Sequence, residues 1–538
     1  MHRPQGRSVR TLALAATTGA ALALVPAGAV AAAPGQYVRG GAAKQGCEAR
    51  ANNTVAKLLE CVGADGAREH LEALQEIADA NAGTRAAGLP GYEASVEYVT
   101  RTLEAAGWKV SIDEFPYTFV GPSVLQQLDP VAGTYPTGPY TGTGYGDVTA
   151  AVTPVDVALD LPRASTSGCE ADDFGGFPAG NIALVQRGGC NFSVKAINAE
   201  AAGASAVVIF NQGNSPDREG LITGTLGAAD VVDIPVVGGS YSDGVALAAP
   251  GSRARVFVPT PQSRPQKNVI AELPGVNTDN VVMAGAHLDS VQAGPGINDN
   301  GSGSASLLEI AQSMAKVKPQ NTVRLAWWGA EESGLVGSRE YVAGLSQKEK
   351  ERIALYLNFD MVASPNHIFM VYDGDQSGFP APVAVPEGSV AIEDLFESYY
   401  TKIGQPYDDA EFSGRSDYQA FINDGIPAGG LFTGAEVVKS TEQAAIWGGD
   451  AGQSFDPCYH RACDTVGNVD LKALDVNIDA IALAVLAYSY STQAVNGVPG
   501  VPVPGGLDLP APAGPQASWS AGGGGLDHEH GHGPSDEH

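Results

Sequence analysis

Hydrophobic and polar positions predict one domain built from alternating helices and strands. Apolar residues recur at helical spacing at Leu71, Leu74, Ile77 and Ala78. A second helix is predicted over 92–106, ended by Gly107, and a strand over 109–115. From 268 to about 490, helical segments such as 304–314 and 478–487 alternate with short apolar runs at 281–286, 322–327, 355–359 and 426–432. Such runs suit strands buried on both faces, so the pattern predicts an α/β fold: a mostly parallel sheet with helices on both faces.

The amino-acid composition and the hydrophobic pattern change between residues 120 and 262. Gly, Pro and Thr become frequent, and short β-rich runs such as 152–159 appear. Strands at 182–185 and 206–210 flank a helix at 192–202 and complete a small unit. We therefore predict a β-rich domain at 120–262, inserted into an α/β domain made of residues 66–119 and 263–492.

The two ends of the chain differ from both domains. Residues 1–31 have a positive start, a short apolar run and a small-x-small cleavage site at 29–31, which predicts a signal peptide and secretion rather than a membrane span. Residues 32–65 are interpreted as an N-terminal extension or propeptide. Residues 493–538 are expected to form a disordered tail rich in Gly, Pro and His. The histidines at 528–532 could chelate metal, but a flexible tail does not hold a catalytic geometry.

Composition narrows the class of partner. At 538 residues the chain is long enough for two or three domains, and its net charge of −29 excludes nucleic acid and favours cationic groups such as a peptide's free ammonium. Six cysteines fit an exported protein. The simplest connectivity joins sequence neighbours, although six cysteines allow about 15 connectivities. These pairs are Cys47 with Cys61, Cys169 with Cys190, and Cys458 with Cys463.

Histidines and acids follow the predicted strands of the α/β domain. Each alone has an ordinary explanation, such as a helix cap, a turn or a solvated acid. Three strand ends deliver His, Asp and Glu to one sheet edge, because the carboxyl ends of parallel strands meet there. A second imidazole is expected from His460, which lies in a short loop that a bond between Cys458 and Cys463 would fix. The set is His287, Asp299, Glu331, Glu332, Asp360 and His460. Two imidazoles with several carboxylates suit zinc, and one shared carboxylate can bridge two ions. One acid must remain free to move protons, and the adjacent Glu331 and Glu332 can divide these tasks.

Residues 268–490 resemble the secreted bacterial leucyl aminopeptidases, within the family that includes aminopeptidase Y. The resemblance is carried by segments 287–290, 294–303, 326–332, 356–361, 414–417 and 458–463. It implies one zinc ion on His287 and Asp360, a second on Glu332 and His460, and Asp299 bridging them. The insert resembles the protease-associated domain through 180–190 and 195–203, and that resemblance implies no catalytic residues.

The same resemblance assigns roles around the metals. It implies Glu331 as general base and acid, Tyr459 as the donor to the oxyanion, and Asp289 as the residue that orients His287. It also implies that Arg415 contacts substrate.

The resemblance to the aminopeptidase family is less specific for several further residues. Met361, Tyr372 and Phe432 would line an apolar pocket, although ordinary core packing explains them equally. Asp475 and Asp479 match acids that bind calcium in relatives, but two acids one helical turn apart are common. Many relatives have histidine where this chain has Tyr418, a position outside the ligand set.

We predict a secreted two-zinc aminopeptidase that prefers large apolar N-terminal residues such as leucine, acts on peptides with a free N-terminus, and is a monomer. Three alternatives stay open. A metallo-carboxypeptidase on this fold would need a basic pocket, for which Arg415 is the candidate. A non-catalytic receptor-like protein would lack metals, and a glutaminyl cyclase would use one zinc ion.

Overall fold

The computed structural model describes residues 46–47, 49–227 and 231–518. The predicted signal peptide and the histidine-rich run at 528–532 lie outside these residues. The strands are β1 Lys109–Phe115, β2 Thr118–Phe119, β3 Val124–Asp129, β4 Gly133–Tyr135, β5 Gly146–Pro154, β6 Ile182–Gln186, β7 Ala206–Phe210, β8 Val236–Gly239, β9 Arg253–Val258, β10 Gln262–Ser263, β11 Gln266–Leu273, β12 Asn277–His287, β13 Asn321–Trp328, β14 Ile353–Phe359, β15 Met370–Tyr372, β16 Asp408–Ala410 and β17 Ala428–Phe432. The α-helices span Val55–Leu59, Ala64–Ala80, Pro90–Ala105, Phe192–Ala201, Tyr241–Leu247, Gly303–Met314, Val336–Gly344, Gln347–Arg352, Ser389–Ile403, Tyr418–Asn423, Thr441–Trp447, Leu471–Tyr490 and Gln493–Asn496.

An eight-stranded sheet forms the centre of the α/β domain, in the order β1-β11-β13-β12-β14-β17-β15-β16. The four middle strands β13, β12, β14 and β17 are parallel, as predicted. Toward the edges, β11 pairs antiparallel with β13, and β15 with β17. Only residues 274–276 join β11 to β12, too few for a parallel crossover. The predicted α/β fold class is confirmed, with a sheet that is parallel in the middle and mixed overall.

Apolar side chains cover both faces of this sheet. Leu355 and Leu357 of β14 belong to one core cluster, and the intervening Tyr356 belongs to another on the opposite face. Helices such as Gly303–Met314 and Leu471–Tyr490 contribute to the first cluster. This two-sided burial is why these strands are continuous apolar runs in the sequence.

The insert has its own seven-stranded sheet, in the order β4-β3-β9-β5-β6-β7-β8. Two core clusters pack on it. The chain leaves the α/β domain after β2 and returns at β10, and these two strands pair, with Phe119 opposite Gln262. The β-rich run expected at 152–159 is a strand only as far as Pro154, since Asp156 has a φ of 44° that ends the extended backbone.

All three predicted disulfides are present, and no cysteine is free. The first lies in the segment interpreted as an extension. There Asn52 donates to the carbonyl of Ser313 at 2.8 Å, and Leu58 is fully buried in the α/β core. Part of this extension is therefore packed onto the α/β domain.

The C-terminal segment differs from the expectation of a disordered tail over its described part, residues 493–518. Helix Gln493–Asn496 begins it, Val503 is buried, and the backbone N–H of Ser518 donates to Asp408 Oδ2 at 2.9 Å. Pro and Gly prevent long regular elements here, but scattered apolar residues and backbone donors still dock on the domain. None of the helices in the described part of the chain combines the length and hydrophobicity that a bilayer span needs.

Candidate metal centre

Six predicted side chains meet at the carboxyl edge of the parallel strands. His287 ends β12, the short turn Glu331–Ser333 follows β13, and Asp360 follows β14. Asp299 lies in the irregular helical segment Ile297–Ser302 that leads into helix Gly303–Met314. The strands therefore position most of the set, and the loop closed by the Cys458–Cys463 disulfide adds His460.

Asp299 lies between the two imidazoles. Its Oδ1 is 3.2 Å from His287 Nε2, and its Oδ2 is 3.2 Å from His460 Nε2. On the outer sides, Asp360 Oδ1 is 3.3 Å from His287 Nε2, and Glu332 Oε2 is 3.0 Å from His460 Nε2. Possible ligand atoms within 4.8 Å of one another form two triads: His287 with Glu331 and Asp360, and Asp299 with Glu332 and His460. Asp299 connects the triads through its contact with His287. Glu331 Oε2, at 3.9 Å from His287 Nε2, stands slightly further away.

Acidic groups outnumber imidazoles in this buried site. Burial raises the pKa of Glu331 well above its ordinary value, and the nearby charge of Asp360 adds to this. Burial and Asp299 raise the pKa of Glu332 to about 7. Burial alone would lower the pKa of His460, but Glu332 and Asp299 raise it to about 11. Excess negative charge of this kind is costly unless cations neutralise it.

Two unsatisfied oxygens test whether a metal fits the site. Glu332 Oε1 and Asp360 Oδ1 are buried and have no hydrogen-bond partner. A buried polar atom without a partner is unfavourable, and each of these atoms belongs to a different triad. Imidazole nitrogen and carboxylate oxygen are ligands that zinc prefers. The residues present therefore fit zinc.

The backbone beside the ligands adopts rarely populated conformations. Ala330, Met361 and His460 have φ values of 56°, 51° and 56°, in the left-handed region that non-glycine residues seldom occupy. Such conformations cluster at functional sites, where surrounding contacts hold them. The segment that carries Asp299 is held separately, since the Asp464 carboxylate accepts from the backbone N–H groups of Asn298 and Asp299 at 2.9 and 3.0 Å.

Asp289 contacts His287 differently from what the resemblance implied. The Nδ1 of His287 is 3.1 Å from the backbone carbonyl oxygen of Asp289, whereas the carboxylate is 3.8 Å away. That carboxylate instead accepts from the backbone N–H groups of Glu331 and Glu332 at 3.1 and 3.4 Å. Asp289 thus holds the histidine through its main chain and the acidic pair through its side chain.

Tyr459 and Arg415 form one unit at the exposed side of the site. Arg415 Nη2 donates to the Tyr459 hydroxyl at 3.3 Å, and its Nη1 pairs with Glu436 at 2.8 Å. The Tyr459 ring stacks on His460 with centroids 3.8 Å apart. Burial raises the pKa of Tyr459 well above its ordinary value, so the hydroxyl keeps its proton and can donate it in a hydrogen bond.

The predicted pocket residues differ in accessibility. Met361 and Tyr372 are buried, and Tyr372 packs against Phe412 and Tyr418, as expected of core residues. Phe432 is only half-buried, at the end of β17. The Tyr418 hydroxyl accepts from Gly414 N–H at 3.0 Å and so supports the loop that carries Arg415.

The two aspartates matched to a calcium site have other partners. Asp475 Oδ1 accepts from Ala64 N–H at 2.9 Å, at the start of helix Ala64–Ala80. Asp479 Oδ2 is 3.5 Å from the Tyr399 hydroxyl. Within the described residues, neither joins a cluster of three potential ligands.

Sequence reasoning gave no role to Ser416, although it lies within the 414–417 motif. Its Oγ donates to Asp360 Oδ2 at 2.7 Å and accepts from Asn358 Nδ2 at 2.9 Å. Tyr356 donates to Asn358 Oδ1 at 3.2 Å and accepts from Trp328 Nε1 at 2.8 Å. A buried chain of hydrogen bonds therefore ends on a candidate metal ligand.

This fold and this site define a metal-dependent exopeptidase. The chain belongs to Peptidase family M28, whose sequence profile matches residues 268–485. Residues 148–247 match the PA domain, so the predicted protease-associated insert is confirmed.

Relatives agree on the reaction. The chain is 50% identical over 448 residues to "Aminopeptidase" of Pseudomonas aeruginosa, covering 82% of this chain and 83% of that one. It is 43% identical to "Probable lipoprotein aminopeptidase LpqL" of Mycobacterium tuberculosis (81% and 87% covered) and 43% identical to "Leucine aminopeptidase 2" of Trichophyton rubrum (68% and 72% covered).

Solved structures agree on the fold. The zinc aminopeptidase BSAP of Bacillus subtilis is similar, with 26% identity and a TM-score of 0.58 over 79% of this chain and 94% of that one. The aminopeptidase of Aneurinibacillus sp. strain AM-1 has 26% identity and a TM-score of 0.54 over 83% and 97%. The chain is a metallo-aminopeptidase that acts on peptides, and the carboxypeptidase, cyclase and receptor alternatives are set aside. Arg415, the candidate carboxylate binder, is already paired with Glu436.

Proposed function

We propose that this aminopeptidase is exported, works with two zinc ions and prefers large apolar N-terminal residues. The observation that carries the proposal is the placement of Asp299, each of whose oxygens faces a different imidazole at 3.2 Å. His287 and Asp360 would hold one ion, Glu332 and His460 the other, and Asp299 would be shared. Bound zinc polarises a carbonyl and lowers the pKa of water, which is the chemistry that amide hydrolysis requires.

Glu331 is proposed as the group that moves the proton. It is buried beside His287, yet its carboxylate stands further from the imidazole than those of Asp299 and Asp360 do. Burial raises the pKa of its carboxyl well above the ordinary value, and such a raised pKa suits a group that must both accept and donate a proton. Glu331 would take a proton from the attacking water and deliver it to the leaving amine.

Tyr459 is proposed to donate its hydroxyl proton to the developing oxyanion. The hydroxyl keeps its proton because burial raises its pKa. Arg415 would position it, since Arg415 Nη2 donates to the same oxygen at 3.3 Å. A preorganised donor of this kind stabilises the transition state more than the ground state.

Selectivity for a free N-terminus is proposed to come from the surplus of carboxylates. An ammonium group is attracted to this acidic site, and an acetylated amine is not. The half-buried Phe432 offers an apolar surface at the same sheet edge, and the name of the Trichophyton rubrum relative supports leucine as a preferred residue. Three disulfides and the lipoprotein name of the Mycobacterium tuberculosis relative support export.

The test measures hydrolysis of leucyl amide and N-acetyl-leucyl amide before chelation, after chelation and after zinc is restored, together with zinc content per chain. We expect cleavage of the free-amine substrate alone, lost with the metal and regained at two zinc ions per chain. His460→Ala should retain about half of the zinc, whereas the control His367→Ala should keep all of it. Full activity at one zinc ion per chain, or equal cleavage of both substrates, would refute the proposal.

A further inference from the structure

Five acids that the zinc centre does not use converge near β15 and the edge strand β16 of the large sheet. Asp373 and Asp375 follow β15, and Asp409 lies in β16, which pairs with β15 in parallel. Glu393 and Glu397 stand one turn apart on helix Ser389–Ile403. One oxygen each of Asp373, Asp375 and Glu393 lies within 4.8 Å of the others, and the same holds for Glu393, Glu397 and Asp409. Glu393 belongs to both groups, so the five acids form one cluster.

Four of these side chains are almost inaccessible to solvent. Asp373, Asp409, Glu393 and Glu397 are exposed by only 1%, 3%, 5% and 6%. The charged groups that act most strongly on Glu393, Glu397 and Asp409 are other carboxylates. Buried carboxylates without a cation are rare in folded proteins because their charge cannot be solvated.

Backbone hydrogen bonds satisfy some carboxylate oxygens of this cluster, but one buried oxygen has no donor. The Asp373 carboxylate accepts from the backbone N–H groups of 377, 378 and 379, and Glu393 Oε2 accepts from those of 374 and 375. Asp409 Oδ1, in contrast, is buried and has no hydrogen-bond partner. A buried carboxylate oxygen without a partner, on a residue that is only 3% exposed and lies in a cluster of other carboxylates, indicates a cation site rather than a solvated acidic surface.

We propose that Glu393, Glu397 and Asp409, together with Asp373 and Asp375, bind one calcium ion. The ligand set contains only oxygen, and calcium takes six to eight oxygen ligands, whereas zinc favours nitrogen or sulfur. The site shares no residue with the zinc centre or with Asp475 and Asp479. Calcium bound here would join β15, β16 and helix Ser389–Ile403 and stabilise that edge of the domain.

The experiment uses the full-length, zinc-loaded protein after calcium has been removed. Calcium chloride is titrated at fixed zinc concentration while bound calcium and the thermal midpoint are measured. Wild type should bind one calcium ion per chain and unfold at a higher temperature. Glu397→Gln and Asp409→Asn should lose both responses. The control pair Asp475→Asn and Asp479→Asn should keep them.

A second readout separates a binding site from a merely structural contact. Without calcium, Glu397→Gln should be at least as stable as wild type, because it removes one of several repelling carboxylates. At saturating calcium the order should reverse. Absence of calcium binding in wild type, or binding that survives in Glu397→Gln and Asp409→Asn, would overturn the proposal. Zinc-dependent cleavage of leucyl amide, measured in parallel, tests the proposed function separately.

Discussion

Ser416→Ala should weaken zinc binding without removing any ligand. Ser416 is buried, and its hydroxyl is the donor to Asp360 Oδ2 at 2.7 Å. The other oxygen of Asp360 has no hydrogen-bond partner, so the substitution leaves a carboxylate with both oxygens short of donors. Asn358 also loses the oxygen to which its amide donates.

The structure sets the size of the effect. A hydrogen bond to a charged group contributes about 1.5–3 kcal/mol. This cost divides between folding stability and zinc affinity, since the bond exists before any metal is bound. At about 1.4 kcal/mol per factor of ten, zinc affinity should fall by about 10-fold and by no more than about 100-fold.

The assay is competition for zinc against a chromophoric chelator, followed by leucyl amide hydrolysis at saturating zinc. We expect the dissociation constant of the zinc ion held by His287 and Asp360 to rise, and kcat at saturating zinc to stay within a few-fold of wild type. Ser413→Ala is the matched control, because Ser413 lies in the same loop and its hydroxyl contacts Tyr418 at 3.5 Å. Unchanged zinc affinity in Ser416→Ala, or a loss of kcat with zinc fully bound, would refute the reasoning.

Three further predictions follow from the geometry. Glu331→Gln should lower kcat by about 10²–10⁴ while both zinc ions remain bound, whereas Glu332→Gln should lose zinc; metal analysis beside kinetics distinguishes the two. Replacing Cys458 and Cys463 together by serine should weaken zinc binding clearly but lower the thermal midpoint only slightly, because the disulfide closes only the short loop that holds His460. A zinc affinity equal to that of wild type would contradict this prediction. In calcium-free protein, burial and neighbouring acids raise the pKa values of Glu393 to about 9 and of Glu397 and Asp409 to about 7. The contribution of these three groups to the stability of the folded state is complete below the ordinary carboxyl pKa and is lost as pH rises through the raised pKa values. Thermal midpoints measured from pH 5 to about 9 should therefore fall, and calcium should suppress the fall.

The convergence of the candidate metal ligands could be predicted because most of them follow strands of a parallel sheet. His287, Glu331 and Asp360 each follow a strand that is recognisable as an apolar run, and parallel strands end at one edge. His460 could be predicted as a candidate ligand because two nearby cysteines bracket it. The local sequence therefore indicated both the types of candidate ligand and their convergence at one edge of the sheet.

The acidic cluster could not be predicted in the same way. β15 and β16 have three residues each, too short for a periodic pattern, and Asp409 reaches Glu393 only through the pairing of these strands. The bond from Ser416 to Asp360 spans 56 residues and depends on a side-chain rotamer rather than on a pattern. The docked segment 493–518 was missed because its Pro-rich composition resembles that of a linker.

The pairing of β2 with β10 has a consequence for how this architecture can change. Phe119 and Gln262 are neighbours across a two-stranded ribbon, so the whole PA domain enters and leaves through one narrow stem. A folded insertion whose ends already meet adds little loop-closure entropy to its host, and its loss would leave a gap that a short hairpin turn could close. The stem thus makes the PA domain an exchangeable module, one that can be gained, lost or replaced while the strands that carry the catalytic edge keep their register.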